Sequence, residues 1–366
     1  MKAAPALARR RLEKSADPPI RLMIVDDSEV ARAVLSRMVA AHPEFAIVAT
    51  AGNASDALDA LKTIRVDIIL LDIEMHGASG LDALPDIVRA GQGARVLIIS
   101  SMVEAGAETT VRALALGAAD ALPKPGIGNF AGRFAEVLAD RLRRIGRAEP
   151  DEAVRCAAAD APPLRLRAMP EGELGCLALG ASTGGIVALF EFLRALPPHV
   201  GAPILVTQHL PTLFMPHFAR QLEAASGRAA RVARDNEALR PDEVHLAPGD
   251  AHLCVARHAG EARVRLDRTR AQSGCLPSVD PMLVSVAAAY GRDAIGVMLS
   301  GMGRDGLSGS RRLVESGGVM FAQDQASAAI WGMPRVVAEA GLASAVLPPA
   351  DLARKVAQRA EVSAWR

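Results

Sequence analysis

Cysteine is too sparse and too scattered in this chain to organise it. The four cysteines, Cys156, Cys176, Cys254 and Cys275, are far apart and form no C-x-x-C. That excludes a disulfide framework and a sequence-local zinc clip, and reads as reduced thiols of a cytoplasmic protein. Aromatic residues make up only 3% of the chain, too few for the stacking platforms of a single-strand nucleic-acid binder. Neither sign of charge is in excess, with 42 Lys+Arg against 41 Asp+Glu. There is thus no electrostatic case for nucleic acid or an anionic membrane surface. No apolar run approaches the roughly 20 residues of a membrane-spanning helix, so membrane insertion is not expected. The segment Met1–Glu13 carries Arg9-Arg10-Arg11 but no apolar core before a cleavage site, and residues 1–19 read as a disordered tail.

What is present is a globular composition, 50% hydrophobic over 366 residues, long enough for two domains with separate cores. From Ile20 the pattern alternates short apolar strands (Leu22–Val25, Ala46–Thr50, Ile68–Leu71, Val96–Ile99, Ala119–Leu122) with amphipathic helices. Such alternation predicts a five-stranded, doubly wound parallel sheet with its ligands at the strand C-termini. Those ends carry Asp26-Asp27, Asp72, Ser100-Ser101 and Lys124-Pro125. Three carboxylates on one edge repel one another unless a hard cation with oxygen ligands, most simply Mg²⁺, sits among them. One carboxylate could serve as a nucleophile toward phosphorus, with the lysine and a hydroxyl holding the phosphoryl oxygens.

These motifs resemble the response-regulator receiver domain: Ile24-Val-Asp-Asp-Ser28, Ile69-Leu-Leu-Asp-Ile-Glu-Met75, Ile98-Ile-Ser-Ser101 and Leu122-Pro-Lys-Pro125. The resemblance implies a flavodoxin-like receiver over residues 20–144. It makes Asp72 the phosphoacceptor, Asp26 and Asp27 the Mg²⁺ pocket, and Glu74 a backbone carbonyl on the metal. It gives Ser100 the switch hydroxyl position and Lys124 the phosphoryl-binding position. Two positions depart from the family: His76 stands where proline is common, and Ala121 stands where an aromatic switch residue is usual. The remaining lever is Ser100, drawing the loop toward Val103.

Residues 145–174 lose helical patterning and gather breakers, among them Pro162-Pro163, and read as a linker. Beyond it, an apolar run, Leu177-Ala-Leu-Gly-Ala181, ends on Ser182-Thr183-Gly184-Gly185 before a helical pattern. This is G-x-S-x-G in its strand–turn–helix context, a nucleophile elbow; the plainer reading is a glycine-rich turn or anion site. The next buried strand, Pro203–Thr207, leads to Gln208-His209, which places a candidate base at a neighbouring strand end. His217, His245, His252 and His258 are weaker candidates, the first inside a helix and the rest around Pro248-Gly249, which reads as an antiparallel hairpin turn. Ser278 reads as the N-cap of a helix running to Tyr290.

The strand Ala294–Ser300 runs into Gly301-Met-Gly-Arg-Asp-Gly306, literally G-x-G-x-x-G. The next strand ends on Asp324, about twenty residues further on, as a dinucleotide fingerprint requires. Against that reading, Asp305 sets a negative charge where the pyrophosphate would lie. An aspartate at that place suits the orientation of a histidine base. The order Ser182, His209, Asp305 differs from that of α/β-hydrolases, but geometry and not order defines a triad.

With Gln208-His-Leu-Pro211, Pro277-Ser-Val-Asp280, Ser300–Gly306, Ala322-Gln-Asp324 and Gly332-Met-Pro334, the second half resembles the catalytic domain of chemotaxis protein-glutamate methylesterases. The resemblance implies a mostly parallel α/β esterase domain over residues 175–366 with an antiparallel hairpin insertion. It implies hydrolysis of glutamate methyl esters on chemoreceptors, and deamidation of receptor glutamines, by Ser182, His209 and Asp305. Met302 would supply an oxyanion N–H and Thr183 a supporting role. It also implies a chemotaxis histidine kinase as phosphodonor, no cofactor for the ester chemistry, and a receiver that covers the esterase site until phosphorylated. Two alternatives remain from the residues: a dinucleotide-binding output half, and a non-enzymatic scaffold.

Overall fold

The computed structural model describes residues 18–75, 79–100, 104–124, 131–146, 164–170 and 172–364. His76, Ser101, Val103, Pro125, most of the linker and nearly all of the N-terminal tail lie outside the described residues.

The acid-tipped strands of the first half form one parallel sheet. Its strands are β1 (Ile20–Val25), β2 (Phe45–Ala51), β3 (Ile68–Asp72), β4 (Arg95–Ser100) and β5 (Asp120–Pro123), in the order β2-β1-β3-β4-β5. β3 is buried from end to end and β4 from its second residue on, as expected of strands covered on both faces. The covering helices are α1 (Glu29–Ala40), α2 (Ala54–Leu61), α3 (Gly80–Ala90), α4 (Glu104–Ala115) and α5 (Ala131–Gly146). Strand order reverses between β1 and β3, so Asp26, Asp27 and Asp72 share one switch-point crevice.

The second half is built on seven strands in the order β14-β13-β12-β6-β7-β9-β8, with every pairing parallel. They are β6 (Cys176–Ala181), β7 (Ile204–Gln208), β8 (Ala230–Val232), β9 (Val244–Leu246), β12 (Ala294–Met298), β13 (Val319–Gln323) and β14 (Ala343–Leu347). Helices α6 (Gly185–Ala195), α7 (Met215–Ser226), α8 (Val279–Tyr290), α9 (Leu307–Glu315), α10 (Met333–Glu339) and α11 (Pro349–Ala364) accompany the sheet. Opposite Gly180 of β6 stand Thr207 of β7 and Met298 of β12. Three neighbouring strands therefore finish level, and the residues that follow them meet at one edge.

The hairpin differs from its reading. β9 joins the parallel sheet, and the antiparallel hairpin is β10 (His252–His258) with β11 (Glu261–Asp267), turning at Ala259-Gly260. Gly249 is required for a different reason: a Cβ there would lie 2.1 Å from the Thr212 amide nitrogen. Among the described residues no helix is long and apolar enough to cross a membrane.

The two halves touch through the lower rim of the first sheet. The Ala119 carbonyl, just before β5, accepts the Gly184 N–H at 2.9 Å. Arg95 Nε donates to the Ala329 carbonyl at 3.1 Å. On α4, Glu108 lies 3.5 Å from both His217 and Arg220 of α7.

Candidate active site

Ser182 follows β6 directly, and Gly184 takes φ +71° as the chain turns into α6. A side chain at Gly184 would meet Ala329 Cβ at 2.4 Å, so the tight elbow needs glycine both for its backbone and for its neighbour. His209 follows β7, and Asp305 lies in the loop after β12. Ser182 Oγ is 3.0 Å from His209 Nδ1, and His209 Nε2 is 2.8 Å from Asp305 Oδ2. The structure thus brings together the three residues singled out as nucleophile, base and orienting acid. The ring is used in the opposite sense to the serine-protease arrangement, where Nε2 faces the serine. A ring that accepts from Ser182 at Nδ1 must carry its proton at Nε2, which donates to the carboxylate.

Asp305 is 3% exposed and fully engaged. Ser278 Oγ donates to Oδ1 at 2.6 Å and the Val279 N–H donates to Oδ2 at 2.7 Å. Burial alone would raise its carboxyl. The hydrogen bond and charge of His209, with those from Ser278 and Val279, outweigh burial and bring it down to about 2. Asp280 nearby is pushed the other way, first by burial and also by the Asp305 charge, while its Oδ1 accepts the Gly309 N–H at 2.7 Å. The pair divides into an ionised Asp305 and a carboxyl that holds its proton more tightly.

A depressed carboxyl stabilises the fold above its unfolded pKa, and that contribution disappears as pH falls through the folded value. In urea unfolding, the stability gap between wild type and Asp305→Asn is therefore expected to stay constant above about pH 5 and to narrow toward pH 2. A gap independent of pH would contradict the assigned charge.

Ser278 was legible only as a helix cap. At the start of α8 its side chain makes no cap bond; it holds Asp305 instead. Its own N–H donates to His252 Nδ1 at 2.9 Å, and His252 Nε2 is 2.8 Å from the Thr269 carbonyl. His252 is thus a buried support for α8's first turn. His217 faces Glu108 and Arg220, and buried His245 meets Glu237 at 3.0 Å.

Among the described residues, the backbone N–H groups of Thr183 and Met302 have no hydrogen-bond partner. Both residues line a cavity of about 1130 Å³ together with Ser182 and His209. The far wall belongs to the first half, including Asp120, Arg141 and Arg144. The fingerprint-like loop Gly301–Gly306 is not a phosphate cradle: its Asp305 is held by His209, and Asp324 accepts from the Ser327 N–H at 3.2 Å and from its hydroxyl.

In the first half, carboxylate oxygens of Asp26, Asp27 and Asp72 lie within 4.8 Å of one another. Lys124 Nζ is 2.5 Å from Asp72 Oδ2 and 3.8 Å from Asp26 Oδ2. Asp26 Oδ2 is buried without a hydrogen-bond partner. Burial, and then the charges of Asp72 and Asp27, raise the Asp26 carboxyl despite its bond from the Ser28 N–H. Burial works to lower the Lys124 ammonium, but its bond to Asp72 and the surrounding carboxylates raise it. A crowded, under-satisfied oxygen cluster of this kind fits a hard divalent cation. Glu74 is exposed, and its N–H donates to Asp72 Oδ1 at 3.0 Å. Ser100 is buried, hydrogen-bonded at 2.9 Å to the hydroxyl of Thr110 on α4.

Fold and site together define a receiver-type sheet joined to a parallel α/β half that carries a serine–histidine–aspartate line. Two family models match accordingly: response regulator receiver domain over residues 22–129 and CheB methylesterase over residues 177–356. A protein-glutamate methylesterase/protein-glutamine glutaminase of Paramagnetospirillum magneticum is 38% identical over 359 residues, covering 91% of this chain and 94% of the relative. One from Caulobacter vibrioides is 39% identical, with 93% and 99% covered. The crystal structure of the Thermotoga maritima CheB methylesterase catalytic domain matches with a TM-score of 0.50 at 34% identity, over 51% of this chain and 99% of that one. The chain belongs to the family of protein-glutamate methylesterases/protein-glutamine glutaminases that carry a receiver domain.

Proposed function

We propose that this chain is a phosphorylation-activated serine esterase that hydrolyses glutamate methyl esters on cytoplasmic chemoreceptor segments and deamidates particular glutamines there. The observation that carries the reading is the hydrogen-bonded line Ser182–His209–Asp305 opening into a cavity walled by the receiver. Ser182 Oγ attacks the ester carbonyl carbon while His209 Nδ1 takes its proton. The N–H groups of Thr183 and Met302 receive the developing oxyanion. As the carbon–methoxide bond breaks, the imidazolium returns the proton and methanol leaves. Water, deprotonated by Nδ1, then cleaves the acyl-enzyme and restores Ser182. Asp305 stays ionised throughout and fixes the ring tautomer. With a glutamine, ammonia leaves in place of methanol.

In the receiver half, residues 20–144, Asp72 accepts the phosphoryl group from a chemotaxis histidine kinase. Asp26, Asp27, Asp72 and the Glu74 backbone carbonyl would hold Mg²⁺, which supplies charge neutralisation at the phosphoryl oxygens. Lys124 holds one of those oxygens. The ester chemistry, in residues 175–366, uses only the chain's own groups.

Regulation follows from what covers the site. The receiver's Ala119 carbonyl takes the elbow's Gly184 N–H, and α4 packs against α6 and α7. With no aromatic ring at Ala121, the physical link from the phosphorylation edge to that contact is α4, tied to Ser100 through Thr110. A Ser100 hydroxyl drawn to the phosphoryl group leaves Thr110 and frees the helix. Ser100→Ala lacks that tie in either state, so it is expected to accept phosphoryl groups at near the wild-type level but to show a raised unphosphorylated rate and little further activation, compared by labelled phosphate and methanol release on one sample. Full activation of the variant would remove Ser100 from the relay. The esterase assignment itself is tested with a fluorophosphonate probe. Labelling at Ser182, found by peptide mass spectrometry and lost in His209→Ala, supports it; an unlabelled wild type favours the scaffold.

A further inference from the structure

The cavity between the halves is also lined by a thiol that the ester chemistry leaves unused. Cys275 is part-exposed, three residues before Ser278. Its sulfur, a His209 ring nitrogen and an Asp305 carboxylate oxygen all lie within 4.8 Å of one another. Among the described residues one other trio is as close, the Asp26, Asp27 and Asp72 cluster, and the two differ in kind. Three carboxylates suit a hard cation. A thiolate, an imidazole and a carboxylate suit Zn²⁺, and three protein donors leave a fourth position for water.

The donors are also held in place. Ser278 Oγ and the Val279 N–H orient Asp305. The Cys275 N–H donates to Ser273 Oγ at 3.3 Å, and Ser273 Oγ donates to Ser278 Oγ at 3.2 Å. The loop that carries the sulfur is thereby tied to the hydroxyl that fixes the carboxylate, an outer shell of the kind that metal ligands have.

We propose that His209, Cys275 and Asp305 form an inhibitory zinc site, an inference that rests on His209 being the esterase base. The chemistry balances without any redox step. Burial, then the Asp305 charge, makes the Cys275 thiol hold its proton, so binding expels that proton to solvent as the zinc–sulfur bond forms. Zinc between His209 and Asp305 takes the Nε2 lone pair, and the ring proton moves from Nε2 to Nδ1. The ring stays neutral, but Nδ1–H now donates to Ser182 Oγ and no longer accepts its proton. Ser182 thereby loses its base while its own hydroxyl stays in place.

The test uses the full chain, reduced with a phosphine, and two probes. With Co²⁺, wild type is expected to give a thiolate-to-cobalt charge-transfer band that Zn²⁺ abolishes. Asp72→Asn keeps the band, and Cys275→Ser loses it although Cys156, Cys176 and Cys254 remain. With Zn²⁺, methanol release is inhibited, and Cys275→Ser raises the half-inhibiting concentration at least about tenfold against its own zinc-free rate, since even outer-shell losses cost about 10–100-fold in affinity. A band that persists in Cys275→Ser, a wild type with no band, or equal zinc inhibition of both proteins overturns the site. The absorbance arm needs no esterase activity, so a failed esterase assignment and a failed metal site give different results.

Discussion

Ser182→Ala is expected to reduce methanol release by about 10⁴- to 10⁶-fold, the loss seen when one member of a triad is removed. The fold should not suffer. The lost oxygen's one described side-chain partner is His209, and the backbone carbonyl that accepts from Gln208 Nε2 at 2.8 Å remains. Phosphoryl uptake at Asp72 should be unchanged, because the crevice that holds it belongs to the other sheet. Asp305→Asn is expected to be nearly as severe, roughly 10⁴-fold. An amide nitrogen facing Nε2 favours the wrong tautomer, and the carboxylate that Ser278 and Val279 hold is lost. Methanol release and circular dichroism on the same preparations separate chemistry from unfolding. Near wild-type turnover in Asp305→Asn would dismantle the triad assignment and return the Gly301–Gly306 loop to other roles.

Asp72→Asn is expected to abolish phosphorylation and all phosphorylation-dependent activation while sparing the slow basal esterase. The amide has no nucleophilic oxygen for phosphorus. It also withdraws the charge that Lys124 meets at 2.5 Å, although Asp26 still lies 3.8 Å from that ammonium. Labelled phosphate that is stable in acid and labile in base should be present on wild type and absent from the variant. Label persisting on Asp72→Asn would place the phosphoacceptor on another carboxylate.

Both sites were largely legible because parallel sheets write them plainly. A buried strand reads as an unbroken apolar run, so the polar residue that ends it is conspicuous, and Asp26, Asp72, Ser182 and His209 are all of that kind. What sequence could not give are contacts across the fold. Ser278 stands where an N-cap belongs, and only Asp305, 27 residues away, shows what its hydroxyl does. Pro248-Gly249 reads as a hairpin turn because nothing local reports that Thr212 lies against Gly249. The contact of the Ala119 carbonyl with the Gly184 N–H involves two backbone groups, which leave no mark in residue type. β14 mixes buried and part-buried residues and lacks the unbroken apolar run that makes the central strands plain in sequence. Cys275 drew no reading beyond a reduced thiol, since its partners lie 66 residues before and 30 after it in the chain.

The function proposed turns on a receiver that covers a working esterase and on phosphorylation that uncovers it. The direct measurement is methanol release from methylated chemoreceptor by three samples at equal concentration: the full chain, the full chain with phosphodonor and Mg²⁺, and residues 175–366 alone. The expected result is a low rate for the first, a marked rise for the second, and a fragment at least as active as the phosphorylated chain without any response to phosphodonor. A fragment no faster than the unphosphorylated chain would contradict it, because there would then be no cover to remove.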